Sequence, residues 1–340
     1  GWAQITAASQ ITNPLAWMEV NNQNATSYFS AHARLTLHLM KDLKLILFGS
    51  YTYSDSEDSQ YLPTSVWAHG QAYRGDRKSE SLLGNLMLTY RKRKGSHFFD
   101  VLALGELEKD TYKGFYTTAT NFSSDENGFN NLQGGALRPW EGTGSYYEDP
   151  HLVSFLGRVN YTFGNRYVLT LNARTDASSK FGTNHKWGFF PSASVAWNIS
   201  EEAFMKRFRY IDNLKIRMGY GLAGNQAGID SYTTMALVRP NGITPVGNTP
   251  LVTYESLRNV NPDLKWEVKR TFNAGFDLGL YGNRLLLSVN YYNSKTTDML
   301  YSYNVSVPPF AYNTLLANLG SMRNSGTEIS VGITPLKTKD

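Results

Sequence analysis

The chain has 340 residues, with 33 Lys and Arg against 28 Asp and Glu, a formal net charge of +5, and no cysteine. The lack of cysteine excludes a disulfide framework, thiol catalysis and thiolate metal sites, and the small positive charge falls short of a nucleic-acid binder. No stretch approaches the roughly 18–20 consecutive apolar residues of a membrane-spanning helix.

The main pattern in the sequence is an alternation of apolar and polar residues with a period of two. It begins at residues 28–40, where Ala33, Leu35 and Leu37 fall on one face and Arg34 and Thr36 on the other. An alternation sustained over so many residues predicts a strand with one apolar and one polar face. The pattern recurs and predicts about eleven strands, the others near residues 43–53, 82–91, 99–108, 153–163, 167–176, 189–198, 214–220, 266–278, 285–292 and 328–334.

The predicted connections alternate between short and long. Lys41-Asp42 is a short one, and the connection at 199–212 carries a predicted short helix over 200–208 with Ser200 as its N-cap. The long ones lie near residues 55–80, 110–150, 178–187, 223–264 and 298–323. Outer-membrane barrels have short periplasmic turns and long extracellular loops. The predicted fold class is therefore all-β, an antiparallel transmembrane β-barrel in an outer membrane.

The charges on the polar face support a wide barrel. Arg34, Arg158, Arg174, Lys215 and Asp277 recur on that face, and a packed small-barrel core could not hold them unpaired. A large barrel instead keeps a polar lumen and turns its apolar face to lipid. The alternative is a secreted soluble β-sandwich or propeller that binds or cleaves polysaccharide. A passive porin is a third interpretation.

The strand count predicts that residues 1–340 are part of a larger barrel domain. Bacterial single-chain barrels have an even number of strands, and an open sheet edge leaves backbone groups without partners in lipid. The loop-like start at Asn13-Pro14-Leu15 and the turn-like end at Lys337–Asp340 agree with this expectation.

Two motifs suggest chemistry, but each has a simpler structural interpretation. Gly219-x-Gly221-x-x-Gly224 matches the dinucleotide fingerprint, yet no βαβ unit surrounds it, which favours a glycine-rich strand end. Glu106 and Glu108 share a polar face about 6.6 Å apart, a spacing within the range of glycosidase carboxylates, but such pairs are common on lumen-facing strands. We predict no catalytic residue, no cofactor, no metal site and no enzymatic activity.

The long loops are rich in aromatic residues whose flat faces could stack on sugar rings. Ligand sites combine apolar walls with a few polar groups, which Asn and Asp would supply here. The alternative is that these rings pack against neighbouring loops or against a partner that covers the mouth. Tyr112 is another aromatic residue of these loops. The candidate substrate-binding residues are Trp67, Tyr73, Tyr116, Trp140, Tyr146, Tyr147, Tyr232 and Tyr254.

Several segments resemble, in order, the SusC/RagA-type TonB-dependent outer-membrane transporters of Bacteroidetes. The most specific segment is RTDASSKFG at 174–182 followed by KWGFFPSASVAW at 186–197. The others are NPL at 13–15, ISEEAF at 199–204, GYGLAGNQ at 219–226, NPDLKWE at 261–267, YY at 291–292, TTDML at 296–300 and NSGTE at 324–328. Together they span nearly the whole chain.

The resemblance implies a barrel of about 22 strands that encloses a plug, of which this chain would supply about half. Such transporters import glycans or peptides and work with a SusD-like surface lipoprotein. Import is driven through TonB from the inner membrane. The plug, the N-terminal domain, the TonB box and the closing strands have no counterpart in this sequence, so the chain is expected to form part of the barrel wall.

Overall fold

The computed structural model describes residues 15–335, which are built mainly from β-strands. No helix in this range is long and apolar enough to cross a membrane. The strands are β1 (Asn21–Met40), β2 (Leu43–Leu62), β3 (Gln71–Lys94), β4 (His97–Phe122), β5 (Gly135–Leu137), β6 (Thr143–Glu148), β7 (His151–Phe163), β8 (Tyr167–Ser178), β9 (Trp187–Asn198), β10 (Ile211–Asn225), β11 (Val238–Val246), β12 (Thr249–Ser256), β13 (Glu267–Leu280), β14 (Leu285–Thr297), β15 (Leu300–Asn304), β16 (Thr314–Asn318) and β17 (Ser321–Ile333).

Eleven of these strands form one antiparallel path, in the order β1-β2-β3-β4-β7-β8-β9-β10-β13-β14-β17. This confirms the predicted strand number and the all-β class. β5 and β6 pair with β4, while β11–β12 and β15–β16 are separate hairpins. Within residues 15–335, β1 and β17 are the two edges of the sheet. The sequence predicts a loop-like start that includes Asn13 and Pro14 and a turn-like end at 337–340, and these residues lie outside the described range.

The register keeps the apolar residues of neighbouring strands on one face. Leu35 of β1 lies opposite Leu47 of β2, which lies opposite Leu86 of β3. On this face Leu107 is 63% exposed and Phe189 is 61% exposed, so no second layer of the described residues covers it. The alternative of a soluble sandwich therefore does not fit, because a sandwich buries this face. A lipid-facing outer surface accounts for it.

Aromatic rings in contact with one another mark the lower rim of the outer face, at the side of the short turns. Ring centroids are 4.9 Å apart for Phe99 and Tyr161, 6.4 Å for Phe163 and Tyr167, and 6.3 Å for Tyr167 and Trp197. Aromatic girdles occupy the water–lipid boundaries of membrane barrels. The apolar band above them extends about ten residues along each strand, about 34 Å, which a tilt of about 40° reduces to about 26 Å of membrane thickness.

The inner face is a hydrogen-bonded polar surface. Nε of Arg174 donates to both carboxylate oxygens of Asp176 at 2.9 Å, and Nη2 donates to Oγ of Ser154 at 3.0 Å. Arg217 makes two hydrogen bonds of 3.1 Å to Asp277. Two of the charges predicted for the polar face, Arg174 and Asp277, thus lie in ion pairs, and Nε of Arg158 donates a hydrogen bond to Oδ1 of Asn172.

Two sequence-based boundaries are wrong. The connection predicted at 55–80 is mostly strand, because β2 continues to Leu62 and β3 begins at Gln71. The single helix predicted over 200–208 is replaced by two 3-10 helices, Ile199–Glu201 and Ala203–Arg207, and Ser200 is not a capping residue. The connections at 223–264 and 298–323 contain the two separate hairpins.

Candidate functional site

Above the membrane, β3, β4 and β6 continue as a wall that carries tyrosines on its inner face. β3 and β4 pair from Gln71 to Lys94 without a register shift, so Tyr73 and Tyr116 lie on the same face as the luminal carboxylates of β4. Their ring centroids are 6.5 Å apart with an interplanar angle of 24°. Tyr146 joins them, because it pairs with Gly114 of β4 on that face.

Each of these three rings lies over a glycine. A Cβ atom added at any of the three glycines would approach the tyrosine hydroxyl to between 2.6 and 2.9 Å, closer than side chains tolerate. The pairs are Tyr73 with Gly75, Tyr116 with Gly144, and Tyr146 with Gly114. Glycine covered by an aromatic ring is a recurrent way to stabilise a sheet. The rings are therefore held against the wall in fixed orientations.

The other loop aromatics do not join this group. Tyr147 is next to Tyr146 in β6, so its side chain lies on the opposite face of the strand, where it is 58% exposed. Tyr254 is 64% exposed on β12, while Trp67 lies in the β2–β3 connection and Trp140 in the short helix Trp140–Gly142. Of the eight predicted residues, the structure thus brings together Tyr73, Tyr116 and Tyr146.

Tyr232 anchors a loop. Its hydroxyl donates a 2.5 Å hydrogen bond to Oδ1 of Asp149 and accepts one of 3.2 Å from the Asp149 backbone nitrogen. The hydrogen bond to this carboxylate, followed by burial, raises the pKa of Tyr232. These contacts tie the connection after β10 to the segment just before β7. They favour the interpretation that Tyr232 packs against a neighbouring loop over a role in substrate binding.

A recess lined by carboxylates lies beside the tyrosine wall, and the sequence did not predict it. Its cavity volume is about 180 Å³, and its lining includes Glu108, Asp110 and Tyr112 of β4, Glu148 of β6 and Asp230 from the loop after β10. Only the alternating acids of β4 were visible in the sequence. No group of three or more His, Asp or Glu in residues 15–335 is arranged to hold a metal. Lys180 also lines the recess, so the recess offers a hydrogen-bond donor beside its carboxylate acceptors.

A buried apolar cluster holds the loops above this region. Phe181, Phe190, Ile229, Leu264 and Trp266 are each at most 7% exposed and come from three parts of the chain, near residues 181–190, 229 and 264–266. Trp266 also donates a 3.0 Å hydrogen bond from Nε1 to the backbone oxygen of residue 186. Two of the sequence segments that carried the family resemblance, 174–197 and 261–267, therefore meet in this cluster.

The glycines of the Gly219-x-Gly221-x-x-Gly224 motif serve packing within β10. A Cβ atom at Gly221 would lie 2.8 Å from that of Ser192, and one at Gly224 would overlap the ring of Phe190. The motif lies inside a strand and a turn follows it. The fingerprint requires a helix at that point to receive a phosphate, so the strand-end interpretation holds.

The chain matches the family described as TonB dependent receptor-like, beta-barrel, over residues 3–336. TonB-dependent receptor SusC of Bacteroides thetaiotaomicron is 30% identical over 367 residues, which cover 100% of this chain and 34% of that protein. TonB-dependent receptor P3 of Formosa agariphila is 31% identical over 337 residues, covering 97% and 33%. The chain thus spans about a third of the length of these relatives.

A solved structure of the RagAB peptide transporter has the same fold. It superposes with a TM-score of 0.84 and 23% identity over 96% of this chain and 36% of that chain. The sequence match covers nearly every residue, and the strand order, the exposed apolar face and the aromatic rim agree with it. The chain belongs to the TonB-dependent receptor-like β-barrel family, is of the SusC/RagA type, and is part of a barrel in the bacterial outer membrane.

Proposed function

We propose that the protein imports oligosaccharides or peptides in a TonB-dependent manner, and that a SusD-like lipoprotein covers its extracellular mouth. The observation that carries the proposal is the inner wall above the membrane, where Tyr73, Tyr116 and Tyr146 continue the polar luminal face upward. In this proposal residues 1–340 form part of the barrel wall. The remainder of a full-length protein would supply the plug and the contact with TonB.

The chemistry of the wall suits a ligand with both an apolar face and hydrogen-bond donors. Tyr146 is 40% exposed, and Tyr112 lies next to the carboxylates of Asp110 and Glu148 in the recess. A sugar ring stacks its C–H face on a tyrosine while its hydroxyl groups donate to carboxylates. A peptide places an apolar side chain and an ammonium or guanidinium group in the same positions.

Ligand binding by the wall is tested with neighbouring tyrosines of β6. Tyr146→Ala removes an inner-face ring, whereas the matched control Tyr147→Ala removes a ring from the opposite face. Calorimetry on the full-length protein would use oligosaccharides from starch digestion and peptides from casein digestion. We expect Tyr146→Ala and Tyr116→Ala to weaken binding of one class by up to about tenfold. Equal weakening by Tyr147→Ala would contradict the assignment.

Energy coupling and partnership are tested in cells. Uptake of the bound class should stop when a protonophore collapses the inner-membrane gradient, and a passive porin would continue to take it up. Copurification of a surface lipoprotein with the tagged barrel supports the proposed partner, and its absence from a functional importer would contradict it.

The proposal includes no catalytic step. Glu106, one of the two carboxylates spaced as in a glycosidase, lies 3.6 Å from Arg174, and that guanidinium also binds Asp176. The carboxylate is therefore part of the luminal charge network. Recovery of the imported oligosaccharide or peptide with unchanged mass after incubation with the purified protein is the expected result.

A further inference from the structure

The lipid-facing surface contains an apolar depression below its extracellular rim. Its volume is about 700 Å³. The floor is formed by small residues of four adjacent strands, and larger side chains form the walls. The floor residues are Ala33, Gly49, Gly84 and Gly105, and the wall residues include Leu35, Leu47, Leu86, Leu107, Val153 and Phe155.

The glycines of the floor are not explained by packing within the chain. Ala33, Gly49 and Gly84 are direct cross-strand neighbours on β1, β2 and β3. A Cβ atom added at Gly49 or Gly84 would meet no other atom within 4 Å. Glycine in a strand interior weakens the strand and often marks a place where another group approaches closely. The open space therefore faces outward, toward whatever surrounds the barrel.

A second depression continues the first toward the extracellular side and ends at two basic side chains. Its volume is about 480 Å³, it shares Gly49, Gly84 and Leu107 with the first, and its lining reaches Lys109 and His151. Lys109 and His151 are direct cross-strand partners on β4 and β7. Lys109 is exposed and takes part in no ion pair within residues 15–335.

The two basic residues lie at the expected height of the lipid headgroups. His151 precedes Tyr161 of the lower aromatic rim by ten residues on β7, a separation of about 26 Å along the membrane normal after the tilt is included. On the upper side, Trp187 stacks on Phe155 with ring centroids 6.3 Å apart. Lys109 thus stands at the polar boundary, and the apolar depression begins one residue pair below it.

We propose that this surface binds an anionic, phosphate-bearing lipid of the outer leaflet, with an acyl chain in the depression and the phosphate beside Lys109 and His151. The shape supplies apolar contact over the length of the groove. The Lys109 ammonium supplies charge complementarity at its upper end, where the His151 imidazole can add a hydrogen bond to the phosphate. A second copy of the chain is a poorer occupant, because covering Lys109 with an apolar wall would leave an unpaired buried charge.

The proposal is tested by native mass spectrometry of the full-length protein in detergent with dioleoyl phosphatidylglycerol or dioleoyl phosphatidylcholine. Wild type is expected to retain more of the anionic lipid. The double variant Lys109→Gln, His151→Gln should lose about fivefold in retained phosphatidylglycerol, the effect expected for removal of the Lys109 charge, and should leave phosphatidylcholine unchanged. Lys113→Gln is the matched control, since Lys113 is on the same face but already forms a 2.9 Å ion pair with Glu80.

A pair of glycine variants tests the depression itself. Gly84→Leu fills it and should lower retention of phosphatidylglycerol, whereas Gly157→Leu should not, because Gly157 lies on the same face, equally free of neighbours, but outside the depression. Folding of each variant is checked by heat-modifiable migration on gels, and the charge variants test the proposal even if Gly84→Leu does not fold.

Three results would overturn the assignment. The first is equal retention of the two lipids, and the second is an equal effect of the control variants. The third is a wild-type dimer that Gly84→Leu dissociates while the amount of retained lipid stays the same. The last result would show that the depression is a contact between copies of the chain.

Discussion

The hydroxyl of Tyr61 donates a 2.7 Å hydrogen bond to Oδ1 of Asp125, 64 residues later in the chain. Thr64 adds two hydrogen bonds to the same carboxylate, from its backbone nitrogen at 3.1 Å and from its hydroxyl at 2.7 Å. Tyr61 is 3% exposed and packs against Phe129 and, edge-on, Phe122. These contacts fix the loop after β4 to the upper ends of β2 and β3.

Tyr61→Phe should release this loop while leaving the barrel intact. Burial raises the pKa of Asp125, but the hydrogen bonds from Thr64 and Tyr61 outweigh it and hold the pKa below its usual value. Removing one hydrogen bond to a charged group should cost about 1–2 kcal/mol of local stability, so amide exchange at 123–134 should accelerate about five- to thirtyfold. Tyr53→Phe is the control, because the Tyr53 hydroxyl donates to Asp55 of its own strand and does not hold a loop. Equal exchange in both variants would contradict the anchoring role.

The membrane-spanning part of the fold could be predicted because lipid and lumen impose opposite polarity on alternate residues. That signal disappears above the membrane, where both faces of a strand meet water. The sequence SDSEDSQ at 54–60 is polar on both faces, yet it continues the β2 ladder. Strand extent beyond the bilayer therefore depends on backbone hydrogen bonding, which the side-chain pattern does not encode.

The candidate site was predictable only in part for the same reason. Tyr73 and Tyr116 were identified as loop aromatics, but their shared face follows from the uninterrupted register of β3 and β4. Tyr146 joins them through the pairing of β6 with β4, which no local pattern indicates. The recess adds Asp230 from a connection far along the chain, and its proximity to Glu148 arises from tertiary structure alone.

Glu202 should make the turn between β9 and β10 sensitive to acid. It accepts hydrogen bonds from Tyr167 at 2.7 Å, Arg166 at 2.9 Å and Trp197 at 3.1 Å. The bond from Tyr167, followed by those from Arg166 and Trp197, lowers the pKa of Glu202. A lowered pKa stabilises the folded turn above the ordinary glutamate pKa of about 4.3, and this stabilisation is lost as the pH falls through the lower pKa of the folded protein.

Tryptophan fluorescence measures this transition, because Trp197 donates directly to the carboxylate. In wild type the emission of Trp197 should change below about pH 4.3, and in Glu202→Gln this change should be absent because the amide does not titrate. Glu201→Gln removes the neighbouring, exposed carboxylate and should keep the wild-type curve. The same curve in Glu202→Gln would show that another group titrates.

Gly224→Ala should destabilise the protein, although alanine usually suits a strand better than glycine. The added methyl group would overlap the ring of Phe190, which packs edge-on against Trp266 with centroids 5.5 Å apart. Overpacking of this kind costs about 1–3 kcal/mol, measured as a lower urea midpoint. Gly157→Ala, where a Cβ meets no atom within 4 Å, should change stability by less than about 0.5 kcal/mol.

A double variant separates overpacking from a general loss of backbone freedom. Phe190→Ala removes the ring that the new methyl group would meet, so Gly224→Ala should cost less in that background than in wild type. Additive effects of the two substitutions would show that Phe190 is not the obstacle.

Asn259 should control the order of the β15–β16 connection, because its amide uses both its donors and its acceptor there. Nδ2 donates to the backbone oxygens of Tyr312 at 2.6 Å and Thr314 at 2.8 Å. Oδ1 accepts from the backbone nitrogens of Ala311 at 3.0 Å and Tyr312 at 3.2 Å. Asn259→Asp keeps the acceptor but places carboxylate oxygen against two carbonyl oxygens. The substitution therefore both removes donors and adds repulsion.

The expected result is faster amide exchange at 305–316, by about tenfold or more for two lost hydrogen bonds, with β13 and β14 unchanged. Asn313→Asp is the matched control, since it introduces the same charge at an exposed position of the same connection. If Asn313→Asp accelerates exchange equally, the added charge is responsible, and the loss of the Asn259 hydrogen bonds is not. If only Asn259→Asp does so, a single side chain orders a loop more than fifty residues away in sequence, which explains how this wall holds its extracellular surface in place without disulfides.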